Sequence, residues 1–404
     1  SSYFGLKPRA HAPMPGPPPP PSAASAEQRL QRGLARLAGN TRDLWAPRRV
    51  LRRPASGLSP LEFLRDFVAA SQPVVVTGLS SEDWPCLARW SNEYLLSKAG
   101  DAEVSVNVTP GGFGDFVDDA SGLFVKPLEE RMRFRDFWGH LGPCAREGPG
   151  GGLAAVEGAE DFGVPYLSHQ NDSLREELPA LACDVPAAVP LGVAAFGNEP
   201  EAVNLWCGDG RSVSSCHKDH YENLYVVVRG EKVFTLLPPA AAPFLRERRC
   251  APASFERRPG SSNMAGRWPG WEAVPDPAPA PEVSWVTADP SVPRNLRRVS
   301  DSGQARAVEV RVRRGEMLYL PAMWYHRVAQ RGITVAVNYW HDMQFGHAYV
   351  HHQFIRDVTG LNDDDGTESE KVEDDEVDDD DDDHDDDERG ETVEASAGER
   401  APQL

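Results

Sequence analysis

What the 404-residue chain lacks narrows its class first. No apolar run approaches about 18 residues, so a membrane-spanning helix is excluded. Cysteine is sparse: Cys86, Cys144, Cys183, Cys207, Cys216 and Cys250 include no Cys-x-x-Cys pair, which argues against a zinc ribbon and a disulfide scaffold. Reduced thiols are expected, in the cytoplasm and also in the nucleus. The first 25 residues hold eight prolines where a secretory signal would place a basic stretch and an apolar segment, so no such signal is expected. His-Glu-x-x-His and the Gly-x-Ser-x-Gly elbow are both missing, which leaves a peptidase with weak support. Basic excess is missing too. Lys and Arg number 42 against 62 Asp and Glu, but residues 363–394 alone carry 21 acidic and two basic side chains, a local balance of −19 out of −20. The remainder sums to about −1, without the basic bias of a nucleic-acid binder.

What is present is ample for folding. At 40% apolar and 8% aromatic, the chain can bury an ordinary core as one large domain or a few smaller ones. Residues 1–26, with Pro17 to Pro21 consecutive, read as a disordered, Pro-rich tail. Residues 27–164 read as a helix and strand region packed on the core. Within it Leu30, Leu34 and Leu37 recur at helical spacing, and Ser59-Pro60 with Glu62 starts a second, capped helix. Residues 73–78 and 103–108 read as strands, 91–96 as a capped helix, and Phe134 to Leu141 as another. Gly-Pro-Gly-Gly-Gly at 148–152 reads as a flexible insertion.

From about Pro165 to residue 356 the texture changes to short strands between turn signals, the pattern of a jelly roll. Leu224 to Val228, Arg229-Gly230 and Lys232 to Leu237 predict a hairpin. Residues 308–312, 316–320 and 333–340 predict three more strands, and 257–280, rich in Gly, Pro and Trp, predicts an irregular insertion. Residues 363–404 read as an acidic, disordered tail, solvated by default and capable of salt-sensitive encounter with basic partners.

The chemistry concentrates in Ser214-Ser215-Cys216-His217-Lys218-Asp219-His220-Tyr221-Glu222-Asn223-Leu224-Tyr225. In a strand, residues i and i+2 share a face, so His217 and Asp219 converge while Lys218 points away. His326, at the end of Gly315-Glu316-Met317-Leu318-Tyr319-Leu320-Pro321-Ala322-Met323-Trp324-Tyr325-His326, is the candidate third ligand. Two histidines and one carboxylate make a facial triad, which holds Fe(II) and leaves positions open for a bidentate cosubstrate and O2. A lone His-x-Asp is weak, since chance supplies it often and a solvated pair is its bland meaning. Lys232 adds specificity: on the return strand of the hairpin, its ammonium can reach inward and pair with a cosubstrate carboxylate. His220, His341 and His347 read as core or surface histidines.

These residues, with Arg229-Gly230-Glu231-Lys232, Ala202-Val203-Asn204, Val106-Asn107-Val108-Thr109-Pro110 and Ala336-Val337-Asn338, make the chain resemble a Jumonji-C (JmjC) oxygenase of the Fe(II)/2-oxoglutarate class over about residues 44–354. The resemblance implies a mainly β fold with surrounding helices, a double-stranded β-helix (cupin-like jelly roll) at its core. It implies Fe(II) held by His217, Asp219 and His326, with 2-oxoglutarate and O2 as cosubstrates. Lys232 and the Ser214 hydroxyl would hold the far carboxylate, with Tyr166, Asn223 and Asn338 lining the pocket. It further implies a protein substrate carrying a target lysine, through the branch that hydroxylates lysine at C3 in developmentally regulated GTP-binding proteins. No direct nucleic-acid or membrane partner is expected, and a homodimer stays open. Ser214 stands where many relatives carry Thr. Two rivals remain: a histone N-methyl demethylase with the same chemistry, and a non-catalytic cupin-like binding module.

Overall fold

The computed structural model describes residues 23–141, 162–258, 268–292, 296 and 306–362. The expected Pro-rich tail up to residue 22, the Gly-rich insertion at 148–152 and the acidic tail from 363 lie outside these residues. No described helix is long and apolar enough to cross a membrane.

Nine strands build the central sheet: β1 (Leu51–Pro54), β2 (Val74–Thr77), β3 (Phe113–Gly114), β4 (Ala202–Gly208), β5 (Val213–His217), β6 (Tyr221–Leu237), β7 (Val308–Arg313), β8 (Glu316–Leu320) and β9 (Tyr325–Asp342). Their order is β1-β2-β8-β6-β9-β5-β3, with β7 added on β6 and β4 on β9. The two long strands pair antiparallel from Tyr221 opposite Asp342 to Leu237 opposite Tyr325. The first half of β6 also pairs with β8 and the second half with β7. Likewise β9 pairs with β4 along Thr334 to Trp340 and with β5 near His326 and Val328. Each long strand thereby serves two sheets, which is how a jelly roll closes and how the expected fold class is realised.

The unbroken apolar run from Leu224 to Val228 follows from burial on both faces. Tyr225, Val227, Leu318, Leu320, Ala336 and Phe234 turn toward the interior of the roll. Their neighbours Leu224, Val226, Met317, Tyr319, Val337 and Tyr339 turn outward and pack with Phe63, Phe67, Trp84, Leu95 and Phe134 from the flanking region. Local signals place those helices. The Ser59 hydroxyl accepts from the Glu62 N–H at 3.2 Å to start Pro60–Phe63, and Ser91 accepts from the Tyr94 N–H at 3.2 Å to start Asn92–Ala99. The first helix, Ala23–Asn40, starts inside the stretch read as tail, because no proline follows Pro21 there to oppose it.

Two expectations need correction. Residues 224–237 form no hairpin: they are one continuous strand paired to β9 throughout, and Arg229-Gly230 is a bulge with shifted register. A Gly at positive φ marks a turn and a bulge equally well, and only the distant partner decides. The 257–280 segment is not irregular throughout, since Trp271–Pro275 pairs antiparallel with Pro252–Arg257. Trp268 and Trp271 are buried against Phe255, so these aromatics are core.

Gly230 sits at φ 75°, and a β-carbon there would lie 2.5 Å from Thr334 Oγ1 and 2.7 Å from the Ile333 carbonyl oxygen. Gly230→Ala should therefore destabilise the fold by roughly 1–3 kcal/mol. Urea unfolding checks this, with a lower midpoint expected at similar slope; an unchanged midpoint would contradict the bulge.

Candidate functional site

His217 closes β5, His326 lies one residue into β9, and the two are direct partners across the ladder. Their ring centroids are 4.2 Å apart. Asp219 is not on a strand, contrary to the alternation argument. It lies in the short link between β5 and β6, and its carbonyl accepts from the Met323 N–H at 2.9 Å. That bond fastens the link to the loop entering β9, so convergence comes from a pinned loop. Asp219 Oδ1 is 3.9 Å from His217 Nε2, and Oδ2 is 3.5 Å from His326 Nε2. One donor atom from each residue lies within 4.8 Å of the others, and His217, Asp219 and His326 are the one such group among the described residues.

Hydrogen bonds orient both rings. His217 Nδ1 meets the Ser215 carbonyl at 2.8 Å and His326 Nδ1 meets the Trp324 carbonyl at 2.9 Å. A carbonyl only accepts, so each Nδ1 carries the proton and each Nε2 offers its lone pair to the centre. Burial, with His217 alongside, pushes His326 down to about 4, so its ring is neutral at physiological pH. Two imidazole nitrogens and one carboxylate, open toward a cavity, are a donor set suited to a divalent first-row metal such as Fe(II).

That cavity encloses about 320 Å³, and its wall includes Tyr166, Trp206, Ser214, His217, Asp219 and Trp285. A smaller cleft that shares Tyr166, Trp206, Ser214, His217 and Asp219 with it adds Asn223 and His326. Lys232 is 1% exposed and stands behind the wall, its Nζ donating to Tyr166 Oη at 2.8 Å and to Gln330 Oε1. Burial alone pushes its ammonium down to about 7, because no carboxylate faces it among the described residues. Asn338 does not reach the wall. It is fully buried, accepting from Trp206 Nε1 at 2.8 Å and donating to Asn223 Oδ1 at 3.3 Å.

Similarity to known proteins gives the family. A model of the cupin-like domain matches residues 60–347. The chain is 37% identical over 302 residues to the human (Homo sapiens) bifunctional peptidase and (3S)-lysyl hydroxylase JMJD7, covering 74% of this chain and 87% of that protein. It is 35% identical over 319 residues to JmjC domain-containing protein E of Dictyostelium discoideum, covering 74% and 86%. With the lysine-specific demethylase JMJ32 of Arabidopsis thaliana it shares 36% over 313 residues, covering 74% and 84%. The chain belongs to the cupin-like JmjC family.

As a JmjC protein it is a 2-oxoglutarate-dependent oxygenase, and the binding-module alternative falls away. The family's core positions are supported by residues that the sequence reading passed over. Gln330 is opposite Lys232 in the ladder, and its Nε2 is buried with no partner among the described residues. Trp285 lies parallel to the His217 ring, centroids 5.7 Å apart, and donates to Ser215 Oγ at 2.9 Å. Glu222 accepts from Tyr319 Oη at 2.8 Å and from the Ala322 N–H at 3.1 Å, tying the loop before β9 to β6. The β-branched and aromatic residues of Val283-Ser284-Trp285-Val286 suit a strand, but nothing local says which strand Trp285 will face.

If these three side chains form the metal centre, His217→Ala, Asp219→Ala and His326→Ala should each weaken Mn(II) binding by more than the roughly 10–100-fold typical of losing an outer-shell partner, with the fold retained. Calorimetric titration of metal-free protein reads this directly. Wild-type affinity in any one variant would remove that residue from the set.

Proposed function

We propose that the protein is an Fe(II)- and 2-oxoglutarate-dependent protein hydroxylase that adds oxygen at C3 of a lysine, its substrates being GTP-binding proteins of the developmentally regulated class. In this reading His217, Asp219 and His326 hold the metal. Lys232 and Tyr166, with Ser214 and Asn223 on the wall, receive 2-oxoglutarate, and Asn338 steadies Asn223. The observation that carries it is Lys232: a buried cation with neutral partners only among the described residues, standing behind the wall of the cavity that holds the triad. Buried lysine is rare without a counter-charge, and an incoming carboxylate would provide one.

His217, Asp219 and His326 would hold ferrous iron, which would supply O2 activation coupled to oxidative decarboxylation of 2-oxoglutarate to succinate and CO2. The chain's own contribution is placement. The carbonyl-bound imidazoles present fixed lone pairs, and the low His326 pKa keeps protons from competing for that nitrogen. Trp206 and Trp285 add apolar surface to an otherwise largely polar wall.

Lysine as the substrate rests on the similarity to the human lysyl hydroxylase. The resemblance to the plant demethylase, 36% identical, keeps removal of an N-methyl group as a second reading. A cytoplasmic, and also nuclear, site of action belongs to the same proposal, in keeping with unpaired Cys86, Cys183, Cys207, Cys216 and Cys250. Mass spectrometry after incubation with Fe(II), 2-oxoglutarate and ascorbate separates the two readings. Gain of one oxygen on lysine of a GTP-binding protein supports the hydroxylase, and loss of a methyl from a methylated histone lysine replaces it.

Lys232 also predicts a pH dependence. A carboxylate binds the protonated ammonium, whose population falls as pH rises through about 7. The dissociation constant for 2-oxoglutarate should be flat below pH 7 and rise by up to about tenfold per unit above it. Lys232→Ala should weaken binding at pH 6 by roughly 3–5 kcal/mol and remove the slope. A pH-independent wild-type affinity would place the cosubstrate carboxylate elsewhere.

A further inference from the structure

One charged group in the cavity is left without a role by the reading above. Asp115 follows β3 on the cavity wall, beside the end of β5 that carries His217. Its backbone sits at φ 49°, in the left-handed region that a non-glycine residue occupies at a cost of about 1 kcal/mol or more. Two bonds hold it there: the Ser215 hydroxyl donates to the Asp115 carbonyl, and the Trp285 indole N–H donates to Ser215 Oγ at 2.9 Å. The same Trp285 ring lies parallel to His217, so Asp115 and the triad are registered to each other through one side chain.

The Asp115 carboxylate itself makes no hydrogen bond and no ion pair among the described residues, although the same wall carries two lysines. Lys126 is committed to Asp276, with Nζ 2.5 Å from Oδ2. Lys218 lies over the Tyr325 ring at 5.4 Å and has Glu247 as its main electrostatic partner. Loss of solvent pushes the Asp115 carboxyl above its ordinary range, against smaller opposing effects of His217 and Lys126. A strained backbone, braced to hold a carboxylate unpaired among the described residues on the wall of a substrate-sized cavity, calls for a cation from outside.

We infer that Asp115 receives the side-chain ammonium of the target lysine and makes the site selective for an unmethylated one. This rests on the lysyl hydroxylase reading. In a lysine oxidised at C3 the ammonium lies four bonds beyond the reacting carbon, so it needs a partner separate from the metal-binding carboxylate. Trp285 and Phe124 on the same wall offer apolar surface for the methylenes between. An ammonium donates N–H bonds to a carboxylate. A trimethylated lysine has no N–H to give and calls for an aromatic cage instead.

The test uses fluorescence anisotropy on full-length enzyme loaded anaerobically with Fe(II) and 2-oxoglutarate. Labelled peptides from a GTP-binding protein of the developmentally regulated class carry lysine, norleucine or trimethyl-lysine at the target position. Wild type should bind the lysine peptide at least about tenfold more tightly than the other two, the size of a charge-assisted hydrogen bond. Asp115→Asn, which tolerates the same φ, should bind all three within about twofold of one another. Retained lysine preference in Asp115→Asn, or no preference in wild type, would overturn the assignment. Aerobic mass spectrometry of the same peptides separates the two layers: lysine discrimination lost in Asp115→Asn without oxygen incorporation anywhere would sink the hydroxylase reading while the ammonium site stood.

Discussion

The antiparallel pairing of β6 with β9 along their whole lengths is the constraint on which the site depends. It sets Leu236 opposite His326 and Lys232 opposite Gln330 in one ladder, so the candidate metal ligand and the candidate anion anchor are separated by four residues of strand. At about 3.3 Å per residue that is about 13 Å of backbone, part of which the lysine side chain spans. The bulge at Arg229-Gly230 lets one strand pass between two sheets without losing its partner, and β5 then brings His217 against His326. A slip of one residue would turn Lys232 to the other face.

The site is furnished with polar groups whose needs the protein leaves unmet. Among the described residues, Lys232 has only neutral acceptors, the Gln330 amide nitrogen has none, and Asp115 is braced in a strained conformation with no counter-ion. Each costs folding free energy that an apolar substitute would not. Elsewhere Asp184 is paired with Arg89 and Glu247 with Arg356, so these buried carboxylates have counter-charges from the chain itself. The histidines show the opposite economy: each Nδ1 is satisfied by a backbone carbonyl two residues away, so their orientation is built into the local chain.

Legibility followed the range of the interactions. Ser59 and Ser91 caps, and the strands at 74–77, 103–109, 308–313 and 316–320, depend on neighbours a few residues away and could be read directly. His217, Asp219 and His326 could be read as a group because the residue types themselves imply the chemistry. The continuity of β6 could not, since Arg229-Gly230 looks alike in a turn and in a bulge. Gln330, Trp285 and Asp115 gain their meaning from pairings about 100 or 70 residues distant, which no local window contains. Asp219 does lie beside the two histidines, but a loop contact with Met323 and not strand alternation brings it there.

The central claim is that one cavity holds a metal on His217, Asp219 and His326 and a 2-oxoglutarate carboxylate on Lys232. A crystal structure grown without oxygen in Mn(II) and 2-oxoglutarate, with anomalous scattering to locate the metal, tests it most directly. The account predicts a single strong anomalous peak within bonding distance of those three side chains and the far carboxylate of 2-oxoglutarate on Lys232 Nζ. Metal bound elsewhere, or a cosubstrate whose far carboxylate avoids Lys232, would contradict it.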